Sequence, residues 1–294
     1  LVLLAVFGLV WAPMIWPIFP GPLAVVLFLG LTLLLLSAAA WEWSRLTGWP
    51  GWRAWASGVL CVVLCLMTQI IYWLVGEIEL IYLASMLWIV GGVWLLQRGV
   101  ACWTALPRWL RWCIGMAMLM TVWLVFTSSL MLFGRRGVVF LLSVLALVWA
   151  ADVVAYFCGR ALGGKFTGGR KLAPAISPGK SWEGAVGGFI GVLLMGAIWV
   201  WVDHAYQLPP NLYTILWQRG PLWFIGALAI LTAMSIVGDL TESLVKRAAG
   251  VKDSSQLLPG HGGVLDRIDA LLPTLPLALA LTIPALHRVG GVTP

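Results

Sequence analysis

Nine stretches of this chain run for about twenty residues each with very little charge: 2–19, 21–40, 56–76, 79–97, 112–133, 138–158, 184–203, 221–240 and 270–288. That length matches the hydrocarbon thickness of a bilayer. In hydrocarbon a backbone must satisfy its own polar groups, which a helix does within one segment. Only 10% of the 294 residues are charged and 62% are hydrophobic, so a soluble fold of this size could not hide the apolar surface. The pattern predicts an all-α fold, a polytopic integral membrane helical bundle of about nine transmembrane helices. Pro13 and Pro17 make the first span the weakest of the nine.

The chain opens at Leu1 rather than Met, and a short leading segment upstream is expected. Ser37-Ala-Ala-Ala40 faintly resembles a signal-peptidase site, but another apolar stretch precedes it and more follow, so a retained helix is the reading. The five cysteines are scattered, without a CxxC or a Cys/His cluster, and read as small buried hydrophobes rather than zinc ligands or a disulfide framework.

Charge sets the orientation. The connectors after the second, fourth, sixth and eighth spans share one side and hold fourteen of the 18 Lys and Arg. The other four, Arg135, Arg136, Arg219 and Arg288, fall on the opposite side. The positive-inside rule places the richer side in the cytoplasm and the C-terminus outside, as in a bacterial-type cytoplasmic (inner) membrane. Eight of the 20 Trp (Trp41, Trp43, Trp49, Trp52, Trp55, Trp103, Trp109 and Trp112) cluster at that inner boundary and predict an aromatic belt. No nucleic-acid partner is expected.

Two cytoplasmic connectors stand apart, 159–183 and 241–269, and carry nine of the fourteen basic residues. The chain therefore divides into N-terminal transmembrane helices, 1–133, and a C-terminal catalytic region, 134–294. Ionisable residues within spans are costly and usually functional. Asp152 sits inside the sixth span and Asp239 at the cytoplasmic end of the eighth. Asp266 and Asp269, at i,i+3, share a helix face as the ninth begins. Acids converging at one membrane face point to a hard cation such as Mg²⁺, which takes one or two carboxylates plus phosphate oxygens and water. Helix capping and dipole pairing would also account for Asp266 and Asp269, but not for Asp239.

Lys180, Lys246, Arg247, Lys252 and Arg267 are suited to clamping phosphates, and Gly260, Gly262 and Gly263 let a backbone bend and offer N–H groups to an anion. A fringe that merely attracts anionic lipid would be basic without acids, whereas here the two alternate. His261, in its Gly-rich turn, is either an anchor or a general base. Gly179-Lys180-Ser181 is only the tail of a Walker A pattern, whose first Gly is missing. Spacing alone gives phosphate chemistry at the inner membrane face.

Ser243-x-Val245-Lys246-Arg247, then Lys252-Asp253, then Leu258-Pro259-Gly260-His261-Gly262-Gly263-Val264-x-Asp266-Arg267-Ile268-Asp269 resembles the signature of the phosphatidate cytidylyltransferases, or CDP-diacylglycerol synthases. AWEW at 40–43, Asp152 with Ala155-Tyr156 and Gly159-Arg160, SPGKSWEG at 177–184 and VGDLTES at 237–243 are similar to that family too. Residues 54–140 add only general hydrophobicity. The resemblance implies transfer of CMP from CTP to phosphatidic acid in the lipid bilayer, giving CDP-diacylglycerol and pyrophosphate. It also implies Mg²⁺, a second cation such as K⁺, and a homodimer.

On that basis Asp239, Asp266 and Asp269 are assigned to cation binding, and Lys246, Arg247, Lys252 and Arg267 to the phosphates. Lys180, Ser177 and Ser181 contribute from the other loop, and Ser243, His261, Gly262 and Gly263 complete the substrate contacts. Asp152 is a network partner, and Asp253 orients Lys252 or Arg247. The nearest alternative is a CTP-using enzyme acting on another lipid phosphate or on a polyprenol-type alcohol. A transporter would lead one to look for inverted repeats, which are not evident.

Overall fold

Long apolar runs become long helices, and among the described residues seven helical stretches are long and apolar enough to cross a membrane, 78–105 counting as one. The computed structural model describes residues 21–75, 78–134, 136–206 and 211–289. The predicted first span, 2–19, lies outside them. The helices are α1 (Gly21–Leu46), α2 (Trp52–Val75), α3 (Ile78–Leu87), α4 (Val93–Ala105), α5 (Arg108–Phe133), α6 (Arg136–Leu162), α7 (Trp182–Tyr206), α8 (Leu212–Trp217), α9 (Pro221–Ala248), α10 (Leu265–Ile268) and α11 (Leu271–Val289). One π-helical turn, Trp88–Gly92, joins α3 to α4, and α4 is kinked at Gly99, whose φ of 73° is not helical, before it runs on to Ala105.

The ninth predicted span is α11, and it occupies the middle of the bundle. It packs against α3, α5, α6, α8 and α9, and all of Leu271, Leu272, Leu275, Leu277, Ala278, Leu279 and Ala280 are buried. A helix that is apolar all round belongs inside such a ring. Its threonines return their hydroxyls to their own helix, Thr274 Oγ1 to the Ala270 carbonyl at 2.6 Å and Thr282 Oγ1 to that of Leu279 at 2.8 Å.

The structure departs from the sequence reading in four places. The fold is not purely helical: β1 (Lys171–Ala173) and β2 (Ser177–Ser181) form an antiparallel hairpin in the first long connector. Helix α9 continues to Ala248, more than two turns past Asp239, so Lys246 and Arg247 lie in its last turn. Cations there complement the helix dipole, which is why the chain stays helical. The connector before α9 contains α8, whose residues 212–216 are all buried. Asn211 and Thr214 cap it, and Tyr213 Oη donates to the Ser143 carbonyl at 3.1 Å. Finally, the aromatic belt holds only in part: Trp52, Trp55 and Trp109 are exposed, but Trp43 and Trp103 are buried edge to face. Trp43 Nε1 donates to the Arg111 carbonyl at 3.0 Å.

Helices α6 and α7 approach closely through small residues. A Cβ at Gly184 would lie 2.8 Å from the Ala155 carbonyl, and one at Gly188 would lie 2.8 Å from that of Ala151. This is the small-residue packing that lets membrane helices come together without large side chains between them. It sets Asp152, on α6, beside the hairpin that leads into α7.

Candidate active site

Helix periodicity places Asp239, Glu242, Ser243 and Lys246 on one face of α9. At Gly238 the helix passes directly over the chain entering α11, where a Cβ would lie 2.5 Å from the Asp269 carbonyl. That close pass brings Asp239 to Asp269. From the other long connector, β2 carries Lys180 across to Asp239, Nζ to Oδ2 at 2.5 Å. Ser243 Oγ donates to Asp239 Oδ1 at 3.3 Å. The first connector singled out in the sequence thus meets α9 at one ion pair.

Asp269 has little to balance its charge. Its Oδ1 accepts the Ala270 N–H at 2.7 Å. Burial first, and then the negative charge of Asp239, push its carboxyl up to about 8; Asp152 adds to the push, against the Ala270 N–H and Lys246. Asp152, Lys180, Arg160 and Ser177 line a cleft of about 390 Å³ together with Ala151, Ala155, Gly184, Gly188 and Ile236. The cleft is polar in a few side chains and apolar elsewhere.

Asp266 belongs to a different environment. Its Oδ1 faces Lys246 Nζ at 2.6 Å, and its Oδ2 accepts the Ser254 N–H at 3.0 Å, the Ser254 hydroxyl at 2.9 Å and the Gly263 N–H at 2.8 Å. Burial works to raise this carboxyl, but hydrogen bonding with Glu242, Lys246 and Gly263 outweighs it and holds the group down to about 2. Lys246 also pairs with Glu242, one turn back on α9. Gly262, at φ 77°, makes the turn that lets this loop close on Asp266, and Leu258 N–H donates to the Gly262 carbonyl at 2.9 Å.

The remaining assigned residues fall around these two groups. Arg247 is exposed, with Nε donating to the Ile176 carbonyl at 3.4 Å and Nη1 to that of Val251 at 3.2 Å. Lys252 and Asp253 are exposed on the loop. Arg267 donates to the His261 carbonyl, while the exposed His261 ring has Nδ1 3.0 Å from the Pro259 carbonyl. Ser181 is buried and accepts the Gly184 N–H at 3.1 Å, which makes it the cap of α7.

Three buried carboxylates escaped the assignment: Glu242, already described beside Lys246, Glu183 and Glu42. Glu183 Oε1 accepts the N–H groups of Gly164 and Thr167, each at 3.0 Å, and the Thr167 hydroxyl at 2.7 Å, and so gathers the loop before the hairpin. Glu42, near the end of α1, does the same for the signature loop. The sequence signal for Glu42 was an acid inside the AWEW stretch at the end of an apolar run.

A Mg²⁺ ion takes one or two carboxylates and completes its shell with phosphate oxygens and water. Among the described residues no three of Asp, Glu, His and Cys stand together as a ready-made metal cage. Asp239 and Asp269 nevertheless fit such an ion, being adjacent, poorly balanced and of one sign. Asp266, with both oxygens engaged, fits only if it gives up Lys246.

The chain matches the cytidylyltransferase family over residues 3–283 and belongs to it. Among its relatives are phosphatidate cytidylyltransferases. That of Pseudomonas aeruginosa is 40% identical over 256 residues, 84% of each chain. That of Haemophilus influenzae is 50% identical over 141 residues, 48% of this chain and 44% of the relative. Phosphatidate cytidylyltransferase 5, chloroplastic, of Arabidopsis thaliana is 40% identical over 140 residues, 48% of this chain and 30% of the relative.

Proposed function

We propose that this chain transfers CMP from CTP to phosphatidate at the cytoplasmic face of the membrane. The observation that carries the reading is the Lys180–Asp239 pair, which ties the first long connector to α9 beside a cleft lined by apolar residues together with Asp152, Arg160 and Lys180. A lipid phosphate is amphiphilic in the same sense. The excess of basic residues on this side supports the cytoplasmic, inner-membrane placement.

In the reaction an anionic phosphate oxygen of phosphatidate attacks the α-phosphorus of CTP. A new P–O bond forms as the bond to the β-phosphate oxygen breaks, and pyrophosphate leaves with that electron pair. The nucleophile is already anionic near neutral pH, so no strong base is required, and His261 is free to act as an anchor. The difficulty is bringing anions together, which cations placed in advance relieve. Lys180 and Arg160 face the cleft and hold the lipid phosphate. Arg247, Lys252 and Arg267, all exposed, receive the triphosphate. Ser177 lines the lipid side, and Ser243 steadies Asp239. Asp239 and Asp269 would hold Mg²⁺, with Asp152 near them and K⁺ as a second cation. When bound, the metal neutralises and orients phosphate oxygens. A homodimer completes the proposal.

The test is a product assay on purified, detergent-solubilised protein given phosphatidate and CTP with and without Mg²⁺. Equal, Mg²⁺-dependent release of CDP-diacylglycerol and pyrophosphate is expected. Appearance of CDP instead would make the protein a CTP-dependent lipid kinase. Neither product from folded protein would overturn the reading.

A further inference from the structure

Glu42 lies on α1, more than two hundred residues before the signature loop, and is wholly buried. An acid near a helix C-terminus opposes the helix dipole, and a buried carboxylate is costly unless donors surround it. Here three donors do, and a fourth, the Ser254 hydroxyl, is shared with Asp266. Ser254 Oγ lies 3.1 Å and Ser255 Oγ 2.5 Å from its oxygens, and the N–H groups of Val264 and Leu265 lie at 2.9 and 2.6 Å. All four come from the two strands of one loop, and the last two open the short helix α10.

The loop is shaped to this carboxylate. A Cβ at Gly263 would lie 2.0 Å from Ser254 Oγ and 2.6 Å from Glu42 Oε1, so the backbone comes as near as glycine permits. Ser254 sits between two acids, its hydroxyl within reach of both Glu42 Oε2 and Asp266 Oδ2. Displacing Glu42 therefore displaces Ser254, and with it the segment that carries Lys252 on one side and Asp266, Arg267 and Asp269 on the other.

We propose that Glu42 is a positioning residue: through Ser254, Ser255, Val264 and Leu265 it fixes the loop that presents the phosphate-binding and acidic groups. It makes the N-terminal helices part of the site rather than a separate anchor. A misplacement of about 1 Å in a positioned group can cost on the order of a hundredfold in rate. The kinetic part of this inference rests on the proposed reaction, whereas the loop geometry does not.

The experiment compares the full-length protein with Glu42→Gln, which keeps shape but turns an N–H donor group toward the loop's donors, and with the milder Ser255→Ala. Hydrogen exchange is read at the amides of Val264 and Leu265 and, as a control, in α6 and α7. For Glu42→Gln we expect exchange at least about tenfold faster at the two loop amides only, with kcat about tenfold lower and KM for phosphatidate unchanged. Ser255→Ala should show a smaller effect in the same direction, and the double variant should be no worse than Glu42→Gln alone. Faster exchange throughout the bundle, an unchanged kcat with a loosened loop, or additive losses in the double variant would each overturn the proposal. If the parent made no product, the exchange pattern would still judge the loop geometry while the proposed reaction alone failed.

Discussion

Asp239 and Asp266 each face a lysine, yet the structure holds them in opposite ways. Asp266 is saturated: one ammonium, two backbone N–H groups and a hydroxyl occupy its oxygens. Asp239 has Lys180 and a long contact to Ser243, and it shares its surroundings with other acids. The first arrangement is that of a structural joint. In the second, like charges are kept together without sufficient compensation, a strain that a folded protein retains where it serves binding or catalysis.

The strongest test of this contrast is Asp239→Asn. Turnover should fall by about a hundredfold or more, the scale of losing a group that stabilises charge in the transition state. Because the change relieves repulsion with Asp269, thermal unfolding in detergent should occur at the parent temperature or above it. A variant that melted markedly lower would erase the distinction between the two halves.

Asp266→Asn should cost more than about tenfold in turnover, and here stability should fall with activity, since an amide cannot satisfy donors that a carboxylate accepts; a loss of about 1–3 kcal/mol is expected. Near-parental turnover at limiting Mg²⁺ would remove Asp266 from the site altogether. Ser181→Ala should give the smallest effect: about 1 kcal/mol from the lost cap of α7, read by the same unfolding assay, with turnover close to the parent. A large kinetic loss at unchanged stability would return Ser181 to the substrate.

Much of this was legible because membranes constrain sequence so strongly. The apolar runs mark the helices, and the excess of Lys and Arg marks the side on which the site is proposed to lie. Lys180 and Asp239 were assigned to one site from their residue types and the family resemblance, and they meet. What stayed hidden depends on distance along the chain or on competition among partners. Nothing local indicates that Glu42 reaches Ser254, or that α11 is the centre rather than another span of the wall. Asp266 and Asp269 share a helix face in sequence, but Lys246 and Ser254 claim the first and leave the second, a sorting made by tertiary contacts. The hairpin was missed because β1 is three residues long and SPGKS has no alternating apolar pattern.

The central position of α11 also gives the molecule an order of assembly. Every helix that surrounds it is translated first, so the ring must form, or remain open, until this segment emerges and threads into the middle. Only then does Gly238 acquire the backbone it packs on, and only then does Asp239 gain Asp269 as a neighbour. A nascent chain already bears the lysines and the cleft between α6 and α7, but its acidic pair is incomplete. The acidic pair is therefore completed late in synthesis, after nearly all of the other helices have been made.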